Sequence, residues 1–126
     1  MILEDLYSVS MVFNIFGSSI INLINDVIGE GAGNKVADVV VNEIKKAGGQ
    51  AVANYDSVEY GDKIVKTAID AFGRVDVLIN NAGILRDKSF PKMTDQDWDL
   101  IMAVHLKGAF TCSRACWPYF RDQGFG

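Results

Sequence analysis

The stretch that most narrows the possible folds is Val75-Asp76-Val77-Leu78-Ile79-Asn80-Asn81-Ala82-Gly83. Val75, Val77, Leu78 and Ile79 are apolar, and Asn-Asn-Ala-Gly closes the run. A short apolar run bounded by turn residues reads as a strand covered on both faces, the kind that parallel sheets use. Its polar groups arrive at the carboxyl end, which is where open α/β sheets hold their ligands. Asn side chains donate and accept, so they can tie one strand to its neighbour. Ala82 and Gly83 leave little bulk beside a flat ligand lying on the strand tip.

The rest of the chain alternates around that strand. Tyr7 to Phe16 alternates Val9, Met11, Phe13 and Ile15 with Ser8, Ser10 and Asn14, the period of a strand. Ile20 to Asp26 predicts another, and Gly29-Glu30-Gly31-Ala32-Gly33 follows as a loop. Asn34 is placed to cap a helix to Ala47, with Ala37, Val40, Val41 and Ile44 on one face. Lys45 and Lys46 suit its negative end, and Gly48 suits a left-handed cap. Gln50 to Asp56 predicts a strand, and Ser57 or Tyr60 opens a helix to Phe72 that Gly73 ends. Thr94 caps a long last helix, with Asp95 and Asp97 in its first turn and Pro118 expected to break or kink it. Trp98, Ile101, His105, Ala109, Cys116, Trp117 and Phe120 keep its period and read as its core face. Strand, helix, strand, helix, strand, helix implies parallel β-α-β units in one layered α/β structure.

Composition excludes several functions. At 126 residues, net charge −4 and pI about 4.8, the chain lacks the basic footprint of a nucleic-acid binder. Met11 to Ile24 is interrupted by Asn14, Ser18, Ser19 and Asn22 and is shorter than the roughly 20 residues of a bilayer span, so no membrane partner is expected. Glu4 and Asp5 stand where a signal peptide carries Lys or Arg. Cys112 and Cys116 fall in one helix with no further Cys or second His to complete a metal site, and read as reduced, buried thiols. His105, the one histidine, reads as a core residue with a satisfied ring nitrogen.

A local parse of the glycine loop puts a pyrophosphate on Gly29 to Gly33, with Asp56 as the acid that bonds a ribose hydroxyl. The spacing is imperfect, since Asn34 stands where the third glycine is needed and Glu30 carries a negative charge into the loop. A second parse comes from likeness. Asn80-Asn81-Ala82-Gly83 after an apolar strand resembles the short-chain dehydrogenase/reductase family. From Asn25 onward the chain is similar to that family's branch of peroxisomal (3R)-hydroxyacyl-CoA dehydrogenases. The blocks that carry this are Ala51 to Val58, Phe72 to Asp76, Asn80 to Asp87, Asp97-Trp98-Asp99 and Val104 to Gly108.

The resemblance implies a partial Rossmann fold: a doubly wound, parallel sheet in a three-layer α/β/α arrangement. Residues 1–126 would be one incomplete dinucleotide-binding domain, with 1–20 as a divergent segment. It implies an oxidoreductase of fatty-acid β-oxidation that moves a hydride from a secondary alcohol to NAD. Ile21 to Asp26 becomes the second strand, and Asp26 becomes the ribose-binding acid that favours NAD over NADP. Asp56 and Ser57 become adenine-edge contacts, and Asn80, Ala82 and Gly83 line the ribose side. Where the wider family has Asn, position 105 is His, as in this branch. An acyl-CoA substrate, a peroxisomal location and a homo-oligomer formed through the long helix belong to the same implication, although no targeting signal stands in these residues.

Two departures from the family pattern bear on activity. The family's Thr-Gly-x-x-x-Gly-x-Gly phosphate loop has no counterpart in residues 1–20, which offer only Gly17. The family's catalytic Ser and Tyr-x-x-x-Lys are also missing; Tyr119 is followed at the fourth place by Gln123. A Tyr made acidic by Lys is the general base in that chemistry. The expectation is therefore no catalytic residue and no activity in these 126 residues alone.

Overall fold

A computed structural model of the chain describes residues 9–14, 18–23 and 32–126, with side chains from residue 37 onward. Four strands form one sheet: β1 (Val9–Asn14), β2 (Ser18–Leu23), β3 (Gln50–Asn54) and β4 (Val77–Ile79). The helices are α1 (Ala32–Lys46), α2 (Gly61–Phe72), α3 (Asp95–Ile101) and α4 (Gly108–Gln123). The spatial order is β3-β2-β1-β4.

The β2-α1-β3 crossover gives a parallel pair, with Ser18 opposite Gln50 and Asn22 opposite Asn54. β1 departs from the expected all-parallel sheet. It pairs antiparallel with β2, Val9 opposite Leu23, and antiparallel with β4, Met11 opposite Ile79. The cause is covalent: three residues separate Asn14 from Ser18, and a parallel connection needs a dozen or more. β2, β3 and β4 therefore all run one way, and only the strand between β2 and β4 is reversed.

The two faces of the sheet are covered by different helices. Val52 and Leu78 pack into a cluster built on Val58, Ile64, Val65, Ala68, Val75, Val104, Cys112 and Cys116. Ala53, the next residue along β3, packs instead with Ala37, Val40 and Ile44 of α1. Alternation along β3 thus places α1 on one face and α2 with α4 on the other, the expected three layers. β4 is less buried than its sequence predicts: Val77 is 37% and Ile79 40% exposed. Both lie on the face opposite Leu78, and α1 covers that face only as far as β2 and β3. β4 is also short, because Val75 gives its backbone to Gln123. Gln123 Nε2 donates to Val75 O at 2.7 Å, and Val75 N–H donates to Gln123 Oε1 at 3.4 Å.

Helix ends follow the sequence with small shifts. α1 opens two residues ahead of Asn34, which lies within it and is not its cap. Ser57 caps a 3₁₀ turn, Val58–Tyr60, that leads into α2, and Gly48 and Gly73 take positive φ as expected. Thr94 and Asp97 form a reciprocal capping box at the start of α3. Between α3 and α4 the helix widens into a π-turn, Met102–Lys107, where Gly108 N–H reaches back to Ala103 O. Pro118 does not break α4, which runs on to Gln123. The Trp residues expected on its core face point outward, Trp98 52% and Trp117 68% exposed. The inward face is Val104, Gly108, Thr111, Cys112 and Cys116.

Candidate functional site

The carboxyl ends of β3 and β4 share one rim of the sheet, because both run with β2. Three strand spacings separate them, about 14 Å. The sequence-predicted residues fall in two groups along this rim. Asp56 and Ser57 follow β3; Asn80, Ala82 and Gly83 follow β4. Asp26 lies outside the described residues, as do Gly29 and Gly31 of the alternative phosphate loop.

The β3 end is held by a buried asparagine. Asn54, 6% exposed, accepts from Asp56 N–H through Oδ1 at 2.9 Å. Its Nδ2 donates to Thr67 Oγ1 at 2.8 Å and to Asp56 Oδ2 at 3.1 Å. All its polar atoms are thus matched, which burial requires. Lys63 Nζ faces the other carboxylate oxygen of Asp56 at 3.4 Å. Ser57 Oγ accepts from Glu59 N–H at 3.3 Å, so the turn that carries the hydroxyl is fixed by it. Tyr55 OH donates to Asp38 Oδ1 at 2.5 Å, joining α1 to this strand end; that bond raises the phenol pKa.

At the β4 end, Asn80 ties its strand end to a helix. Its Nδ2 donates to Ser113 Oγ of α4 at 3.0 Å. Gly83 also has a use within the protein: a Cβ there would come within 2.9 Å of His105 Cε1. The missing side chain makes room for the imidazole. His105 is exposed and belongs to the rim, which corrects its reading as a core residue. Its Nε2 lies 3.0 Å from Ile84 N and 2.9 Å from Ile84 O, so one tautomer accepts from the amide and the other donates to the carbonyl. Thr67, Ser113 and the ring position of His105 carried no local sequence signal, since each partner lies 13 or more residues away.

The loop after Gly83 is anchored by Asp97. Oδ2 accepts from Lys88 Nζ at 2.7 Å, from Thr94 Oγ1 at 2.5 Å and from Thr94 N–H at 3.2 Å. Lys88 first, then Thr94, pulls the carboxyl down to about 2. The thiols are inert by contrast. Burial raises Cys112, and burial together with Cys112 raises Cys116 to about 12. Among the described residues no group of three His, Cys, Asp or Glu could hold a metal ion, and no helix is long and apolar enough to cross a membrane.

A dinucleotide fits this rim only in part. Side chains for a nucleoside stand at both strand ends. Among the described residues the element after β1 is β2; α1, the helix after β2, opens at Ala32, and Gly29 and Gly31 ahead of it lie outside the described residues.

The chain is similar in sequence and in fold to known dehydrogenases. The peroxisomal hydratase-dehydrogenase-epimerase of Neurospora crassa is 70% identical over 98 residues, 78% of this chain and 11% of that protein. The full-length peroxisomal multifunctional enzyme type 2 of Drosophila melanogaster superposes with a TM-score of 0.62 at 49% identity, over 72% of this chain and 15% of that one. A short chain dehydrogenase from Mycobacterium avium superposes at 0.73 with 36% identity, over 83% of this chain and 38% of that one. The chain thus spans a minor part of each. The family model described as short chain dehydrogenase matches residues 26–126, and the chain belongs to that family of nicotinamide-dependent oxidoreductases.

Proposed function

We propose that these 126 residues form the nucleoside-side part of a dehydrogenase acting on (3R)-hydroxyacyl-CoA, and that alone they turn over nothing. The observation that carries the inactivity is simple. Tyr7, Tyr55, Tyr60 and Tyr119 are followed at the fourth place by Met11, Glu59, Ile64 and Gln123, so no tyrosine has the lysine that would acidify it. The substrate class rests on the similarity to peroxisomal multifunctional enzymes and on the blocks Asn80 to Asp87 and Val104 to Gly108. Asp56, Ser57, Asn80, Ala82 and Gly83 are assigned to the nucleoside, supported by their common rim. Asp26 is assigned to the ribose, where its carboxylate repels a 2′-phosphate and so favours NAD over NADP. A peroxisomal compartment and self-association through α4 complete the reading. A non-catalytic nucleotide-binding or dimerisation module is the second reading, and the lack of a Tyr-x-x-x-Lys in these residues favours it.

Purified chain mixed with NAD and a (3R)-hydroxyacyl-CoA is expected to give no NADH absorbance. Sustained NADH formation would refute the inactivity.

A further inference from the structure

We propose that His105 is a proton-dependent positioning residue for the segment 82–84 at the end of β4. The neutral ring takes the Ile84 N–H; the charged ring releases it and donates to the Ile84 carbonyl instead. These bonds exist whether or not the rim holds a nucleotide.

One ring nitrogen stands between two groups of a single residue. Nε2 lies 3.0 Å from Ile84 N and 2.9 Å from Ile84 O. It serves one of them at a time, because such a nitrogen either carries a hydrogen or offers a lone pair. The neutral ring with its hydrogen on Nδ1 accepts from the amide. A backbone N–H left without a partner is rarer than an under-used carbonyl, which has two lone pairs, so this is the neutral form that the segment favours. The charged ring carries hydrogen on both nitrogens and accepts nothing. It donates to Ile84 O, and the Ile84 N–H then faces another donor.

Two features seat the ring against this segment. Gly83 leaves the space for it, since a Cβ there would meet Cε1. The π-turn Met102–Lys107 carries His105, and a widened turn of that kind is frequent at functional places in helices. The side chain is exposed, so protons reach it from solvent. Charges on the neighbouring segments are engaged elsewhere. Arg86 and Lys88 of the loop face Asp97, and Lys107 of the π-turn faces Glu59 of the 3₁₀ turn. Among the described residues the imidazole makes no ion pair, and Asp87 of the loop makes none either. The hydrogen bonds to Ile84 are therefore what a change of charge on the ring rearranges, and histidine is the side chain that changes charge in the physiological range.

His105 is the one histidine of the chain, so its ring nitrogens give unambiguous signals. Nitrogen-15 NMR of the whole chain, titrated from about pH 8 to about pH 5, is expected to show a bare Nε2 in the neutral ring. Protection of the Ile84 amide against exchange, taken relative to its intrinsic rate, is expected to fall about fivefold as the ring takes its proton, the worth of one ordinary hydrogen bond. His105→Asn supplies a donor and an acceptor at once and does not titrate; it is expected to keep Ile84 protected at every pH. A neutral ring with its hydrogen on Nε2 overturns the proposal, and so does Ile84 protection that ignores the proton on His105. Both of those readouts use the native chain and need no variant. A pH response that survives in His105→Asn overturns it as well.

Discussion

Asp97 shows how one side chain fixes a loop and a helix together. Its carboxylate closes the capping box with Thr94 and also takes Lys88, so the segment after Gly83 is tied to the first turn of α3. The folded carboxyl sits at about 2, below the ordinary value of about 3.9. A depressed folded pKa means that the bond stabilises the charged form. The contribution is therefore complete above about pH 4 and fades as pH falls toward 2. Denaturant melts across that window are expected to show this slope in the native chain and to lose part of it in Asp97→Asn; an unchanged slope would count against the assignment. Asp76 is more deeply placed, 1% exposed and gripped by Arg74 through Nε at 2.9 Å and Nη2 at 2.5 Å. Removing the arginine would strand a buried charge, whereas Lys66–Asp70 on the surface of α2 adds little.

At the scale of elements, α2 and α4 approach backbone to backbone. A Cβ on Gly61 would overlap the backbone of Thr111 and Cys112, and one on Gly108 would stand 2.5 Å from Val58 Cγ2. Thr111 Oγ1 then reaches Val58 O at 2.6 Å. Gly61→Ala is expected to destabilise the chain by about 1–3 kcal/mol, read by urea unfolding, because rigid backbone meets the new methyl. Sequence periodicity found this long helix, its cap and the inward Cys112, Cys116 and Phe120, but set Trp98 and Trp117 on the same face, where they do not lie. The small residues Gly108 and Thr111 complete the true contact and gave no signal of their own. The π-turn at Met102–Lys107 also adds a residue to the turn and rotates everything after it, which a fixed period of 3.6 does not anticipate. The rim itself was legible in Asn80 to Gly83 and Asp56, because strand ends and turn residues are local signals. The use of Gly83 was not, since it depends on a histidine 22 residues further along the chain.

For the whole molecule, sequence gave the layers, and chain geometry reset the centre of the sheet. Alternation at Val52 and Ala53 puts helices on both faces as expected. The direction of β1 came from the length of a link, not from the character of the strand. The outer side of the last helix remains apolar: Leu106, Phe110 and Trp117 are 61, 56 and 68% exposed. A patch of that kind favours association. Light scattering is expected to report species larger than a monomer, and Phe110→Glu with Trp117→Glu to shift them toward one chain; a monomer in the native protein would remove the proposed role of α4. The hairpin of β1 and β2 carries one further consequence. Its partners are neighbours along the polypeptide, whereas β2 can meet β3 only after 26 intervening residues have been laid across the sheet. Parallel sheets of this kind gather their middle from distant segments, which makes them slow to assemble. In this chain the middle is the most local pairing of the described strands, so the sheet is expected to close from its centre to its edges.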